Sequence, residues 1–182
     1  AEGALTGAPK DLIASQLAMM QSVLARARAE HARSVSKGEE AVRLAPSEMP
    51  DAVGTAWNIL AVARAGAGDF SGAIEAYGRG AELTYGAGNL VGSYACTYGR
   101  AMYLVVQGRL NDAEDACRTM IERAAREGHA DIPAAGWLHM ALARIELERF
   151  RLDGAQACLD WVLHIARPGG FGELQRAGRY LS

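Results

Sequence analysis

Cysteine and proline are scarce in this chain, and neither sign of charge dominates it. Its 182 residues include three cysteines, five prolines, three tryptophans and three phenylalanines. Cys96, Cys117 and Cys158 are too few to staple a chain of this size and stand at no ligand-like spacing. A disulfide scaffold and a zinc site are therefore excluded as organising principles. The three thiols read as small hydrophobes within helices, kept reduced, which places the expected setting in the cytoplasm. The four histidines, His31, His129, His139 and His164, are equally scattered, so no metal is expected. Half of the residues are hydrophobic and prolines are few, which argues against disorder. A net charge of -2 and an isoelectric point near 6.1 offer no broad basic surface, so direct contact with DNA by this segment is not expected. No apolar run approaches the roughly 18–20 residues that a bilayer requires, and Ala1–Lys10 lacks the basic start and apolar stretch of a secretory signal.

What the chain does have is a phrase used three times. It reads Gly68-Asp69-Phe70-Ser71-Gly72-Ala73, then Gly108-Arg109-Leu110-Asn111-Asp112-Ala113, then Phe150-Arg151-Leu152-Asp153-Gly154-Ala155. The closing alanines stand 40 and then 42 residues apart, and each phrase lies between alanine-rich stretches of helical periodicity. A period in this range marks stacked helical hairpins, which are recognition surfaces far more often than catalysts.

The periodicity predicts helices over about Asp11–Arg28, a second to Leu44 stopped by Ala45-Pro46, Asp51–Ala67, Phe70–Thr84 and a fifth to Gln107. Further helices are expected over about Leu110–Glu127, Pro133–Arg149 and Leu152–Ala166, with a last one from Phe171 to the end of the chain. No strand pattern competes. Short links make neighbours antiparallel, giving four hairpins over about 11–45, 51–86, 89–128 and 132–167 in one domain. Ala73, Ala113 and Ala155 fall one turn into each second helix, where a small side chain lets the backbones approach.

These residues resemble the tetratricopeptide repeat. Trp57, Leu60-Ala61, Gly68, Ala73, Tyr77 and Gly80 follow its order in the second hairpin, and Ala101, Gly108 and Ala113 do so in the third. Leu142-Ala143 and Ala155 fit in the fourth, where Phe150 stands in place of the turn glycine; the first hairpin keeps Ala41 and Pro46. The resemblance implies an all-α right-handed superhelix of about four hairpins plus a terminal helix. The chain is also similar to the repeat region of large ATP-dependent LuxR-type transcriptional activators, the group of the maltose-regulon activator. That likeness lies in Ala56-Trp57-Asn58-Ile59-Leu60, Ala73-Ile74-Glu75-Ala76-Tyr77, Gly108-Arg109-Leu110 and above all Leu142-Ala143-Arg144-Ile145-Glu146-Leu147-Glu148-Arg149-Phe150-Arg151-Leu152-Asp153-Gly154-Ala155. It implies a regulatory segment that senses an effector or partner, lying between a nucleotide-binding module and a helix-turn-helix. Neither module is expected here: Gly66-Ala67-Gly68-Asp69 lacks the lysine of a phosphate loop, and no basic recognition helix follows Ser182. A chain that starts without methionine and stops within an apolar stretch reads as the excised middle of a longer regulator. The competing reading is a free-standing tetratricopeptide adaptor that docks peptides and has no part in transcription.

In such stacks the first helix of each hairpin lines the concave groove. Gln16, Asn58, Tyr98, Trp137, Met140 and Arg144 are the candidate groove residues. Rings to cover apolar faces, amides for hydroxyls and a guanidinium for a carboxylate would suit a sugar or a small polar effector; a protein or peptide segment is the alternative partner. The bland alternative makes the rings packing residues and Arg144 a solvated charge. Tyr94, Tyr98 and Tyr103 are read mainly as core, and the pairs Glu114–Arg118 and Glu122–Arg126 as a solvated face. His139 and Glu146, seven residues apart, have no nucleophile or oxyanion partner, so no catalytic residue and no cofactor are assigned. Apolar residues at both ends, Leu12, Met19, Met20 and Val23 at one and Phe171, Leu174, Tyr180 and Leu181 at the other, lead to an expected homodimer.

Overall fold

A computed structural model describes residues 8–129 and 132–166. The helices are α1 (Ala8–Ala27), α2 (His31–Leu44), α3 (Pro50–Gly66), α4 (Phe70–Gly86), α5 (Leu90–Val106), α6 (Leu110–Arg126), α7 (Gly136–Glu148) and α8 (Leu152–Ala166). Among the described residues there is no strand, and no helix is long and apolar enough to cross a membrane. The expected terminal helix from Phe171 lies outside the described residues. Two expected boundaries are corrected. Pro133 opens not an α-helix but a short 3-10 turn, Pro133–Ala135, and α7 starts at Gly136. α4 runs on to Gly86 rather than ending near Thr84.

The helix ends explain the regularity. Gly68, Gly88, Gly108 and Gly128 all have positive φ, each twenty residues after the last, and Ala29 and Phe150 take the same left-handed conformation. At all six turns the residue after this position donates its N–H to a carbonyl five residues back, as Asp69 does to Arg64 and Arg151 to Glu146, both at 2.9 Å. A second bond closes each turn, for example Gly68 N–H to Ala65 at 3.0 Å. This left-handed cap satisfies carbonyls that a helix end leaves without partners. Helices α3 to α6 are each 17 residues long. The repeating unit is thus one helix and one three-residue turn, half of the period legible in the phrases. The link from α2 to α3 lacks this left-handed cap: Ala45 is extended before Pro46, as the proline ring demands.

The chain divides into two compact units, Ala1–Cys96 and Thr97–Ser182, with the boundary inside α5. In the first unit α1 packs on α2, α3 on α4, and α3 also touches both α1 and α2. Close approach there depends on small residues. Ser22 and Ser34 donate to each other's carbonyls at 2.7 and 3.0 Å, and Ser15 donates to Ala41 at 2.8 Å, so the α1–α2 seam buries hydroxyls that are all satisfied. Ala18, Ala41 and Ala56 join α1, α2 and α3 in one cluster. In the second unit α7 packs on α6 and α8. The phrase alanines are buried as expected, Ala73 and Ala113 completely and Ala155 almost so.

Candidate functional site

Gln16 and Asn58 lie in the first unit, and Tyr98, Trp137, Met140 and Arg144 in the second. Each unit therefore presents its own surface.

In the first unit Gln16 is exposed and borders a cleft of about 480 Å3. Its apolar lining is Leu12, Met19, Met49, Pro50, Ala52 and Ala87; the polar lining is Gln16, Asp51 and Thr55. The cleft is bounded by α1, by the start of α3 and by the α4–α5 turn. Asp51 Oδ1 accepts a 2.7 Å bond from Asn89 Nδ2, while Asn89 Oδ1 caps α5 by accepting from Gly92 N–H at 2.8 Å. One amide thus joins two elements 38 residues apart. Asn58 is half-buried and does not line this cleft. Nearby, the Arg79 guanidinium lies 4.8 Å from the centre of the Trp57 ring, a cation–π contact.

In the second unit Tyr98 and Trp137 meet, with ring centroids 5.3 Å apart and planes tilted by 55°. Both pack, with Trp161, against Met140 and Val162. Burial pushes the Tyr98 hydroxyl above its ordinary range, and the Arg144 charge partly opposes that rise. Met140 is only 7% exposed. Arg144 is exposed and its Nε donates to Glu148 Oε1 at 2.8 Å, one turn further along α7. Three of the four candidates here are thus brought together, with the rings half-buried. Between Trp137 and Met140 on α7, His139 stacks on Trp161 with ring centroids 3.8 Å apart, and burial, helped by Arg118, lowers the imidazole to about 4.

The remaining expected positions divide between core and surface. Cys96 and Cys117 are fully buried and their thiols are pushed up to about 12, chiefly by desolvation; Cys158 is half-buried. Tyr94 is fully buried, while Tyr103 is half-buried. Glu114 is no merely solvated charge. It accepts from Arg118 Nε at 2.7 Å and is paired with Arg149 from the α7–α8 turn, and the two guanidinium partners hold its carboxyl below the usual range. Arg149 Nη2 also donates to Asn111 at 2.6 Å, and nearly buried Glu146 lies 3.9 Å from Arg149 and 3.6 Å from Arg151. The expected Glu122–Arg126 ion pair is replaced by Arg126 donating to the Glu122 backbone carbonyl at 3.3 Å. Pairs along one helix can be read from spacing; Arg149–Glu114, 35 residues apart, cannot.

The apolar face expected on α1 is corrected in part. Met20 and Val23 are exposed as expected, together with Ile13, Leu17 and Leu24, whereas Leu12 and Met19 are half-buried and line the cleft. Among the described residues no group of three His, Cys, Asp or Glu side chains could hold a metal ion. No protein-family model matches the chain, and no curated protein matches its sequence.

Proposed function

We propose that this chain is a non-catalytic recognition segment of a LuxR-type transcriptional regulator, binding an effector or partner segment along the inner helices of its repeats. In this reading the hairpins continue as a right-handed, tetratricopeptide-like superhelix, and the segment lies in the cytoplasm. The supporting observation is the helix–turn unit that recurs every twenty residues between Gly68 and Gly128. Such a unit offers equivalent side-chain positions on successive helices, which suits recognition of an extended or multi-point ligand. The clustering of Tyr98 with Trp137 adds an aromatic platform to one such position.

The test is the full-length gene product together with a ligand screen. A phosphate loop upstream and a helix-turn-helix downstream support a regulator, while their absence removes that assignment. In a thermal-shift screen of sugars and small polar metabolites, a true effector at about 100 times its dissociation constant stabilises the fold by about 2.7 kcal/mol. The exposed apolar stripe of α1 favours a second reading, an adaptor that docks protein segments without a role in transcription. A product with neither flanking module, which captures amphipathic peptides but no metabolite, would support it.

A further inference from the structure

The cleft of the first unit has a chemical character that recognition in general does not specify. Its body is apolar and adaptable: two methionines, Met19 and Met49, face it together with Leu12 and Pro50, and thioether chains reshape around different ligands at little cost. The volume, about 480 Å3, is that of a small-molecule site. Only one charged residue lines it, Asp51, and no basic residue does.

Asp51 is held in place. Its Oδ1 takes the Asn89 amide hydrogen at 2.7 Å, and that amide is fixed in turn by capping α5. A ligand that fills the cleft covers this carboxylate and removes water from it. Covering a carboxylate without supplying a new partner is unfavourable, and bringing a second anion is more so. A protonated amine reverses both effects, because it replaces the lost water with a charge-assisted hydrogen bond. Gln16 and Thr55, which also line the cleft, carry further acceptor oxygens.

We infer that the cleft between α1 and the start of α3 binds a small organic cation, an apolar body carrying one protonated amine, with Asp51 as the cation's partner. This rests on the recognition reading above and narrows it to a ligand class. The three probes are n-hexylammonium, n-hexanol and n-hexanoate, which share a body and differ in head group. Binding is followed by the methyl signals of 13C-labelled methionines. The expected result is a saturable shift of Met19 and Met49 with n-hexylammonium, at least about tenfold tighter than with n-hexanoate and several-fold tighter than with n-hexanol. Asp51→Asn should abolish the advantage of the cation over the alcohol while leaving the alcohol's own binding in place. Ala87→Leu, a substitution at an exposed lining position, should weaken all three. Equal binding of the three probes, shifts at Met140 rather than Met19 and Met49, or no shift at all would overturn the inference. If it is overturned while a screened metabolite still stabilises the protein, the cleft assignment fails and the recognition reading stands; if no metabolite stabilises it either, both fail.

Discussion

Gly54 of α3 lies so close to Thr84 of α4 that a β-carbon at position 54 would stand 2.7 Å from the Thr84 methyl and 3.0 Å from its backbone nitrogen. Leu83 Cβ is 3.1 Å from the same point, and Thr84 is itself fixed by its hydroxyl donating to Gly80 at 2.7 Å. The two backbones of the α3–α4 hairpin therefore approach closely at this point, against a short, fixed side chain and a main-chain atom that can yield little.

The first prediction follows. Gly54→Ala improves intrinsic helix propensity by about 1 kcal/mol, but it overpacks a seam where overpacking costs about 1–3 kcal/mol. Since a main-chain atom is among the obstacles, the net effect expected is destabilisation by about 1–2 kcal/mol. Urea unfolding with an unchanged slope and a lower midpoint would show it; a midpoint equal to or above that of the parent would mean the hairpin is looser than described.

The second concerns the one bulky residue at a glycine position. Phe150 has φ of 56° and is 91% exposed, so its ring contributes little burial while its backbone bears the cost of a left-handed residue. That cost is about 1–2 kcal/mol, offset in part by the greater unfolded-state freedom of glycine. Phe150→Gly should therefore stabilise by about 0.5–1 kcal/mol. Gly108→Ala is the converse control. No atom lies within 4 Å of its would-be β-carbon, so any loss there is purely conformational. A stability drop in Phe150→Gly would reveal a contact made by the ring.

These turns also show how much of the fold is written in local sequence. The helices follow from apolar periodicity, and their ends from glycine, because an exposed left-handed residue has few alternatives. The forty-residue phrase concealed a twenty-residue unit because Ser93, buried as completely as Ala73 and Ala113, does not spell the same phrase. Phe150 shows the same principle from the other side: its turn is legible from the phrase, although the residue that best fits the left-handed backbone is missing there. The cleft was half legible. Gln16 is an expected groove residue, but the sequence marks Asp51 only as the start of a helix, and its bond to Asn89 crosses 38 residues. Local spacing carries no record of such a pair.

The third prediction is a pH dependence centred on His139. Its imidazole is stacked on Trp161 and lowered to about 4 by burial and by Arg118, against an ordinary value near 6.5. Between these two values the unfolded chain binds a proton that the folded chain does not, so stability is full above about pH 6.5 and falls as the pH drops toward 4. The ring is only partly removed from water, so the loss should be about 1–2 kcal/mol rather than the larger figure the full shift implies. Unfolding midpoints at pH 7.5 and about pH 4.5 should differ accordingly in the parent, and His139→Phe should reduce the difference. An NMR titration with the His139 midpoint near 6.5 would contradict this account.

The last prediction is that the isolated segment associates with itself through α1. Ile13, Leu17, Met20 and Leu24 are 65, 54, 71 and 50% exposed and recur at intervals of four, three and four, the spacing of a helix–helix seam. Within that span of α1 no charged residue interrupts the stripe. In an antiparallel pairing about a two-fold axis, Ile13 of one copy falls opposite Leu24 of the other, and Leu17 opposite Met20, so the stripe is complementary to itself. Covering four large apolar side chains on each copy, at about 25 cal/mol per Å2 of buried apolar surface, is enough to make association detectable at micromolar concentration. Sedimentation equilibrium should give a mass that rises with concentration, and the double substitution Leu17→Glu with Met20→Glu should return a monomer that melts as the parent does at concentrations too low for association, since both side chains are exposed. A parent mass that stays monomeric up to about 100 μM would remove the stripe as a self-association surface.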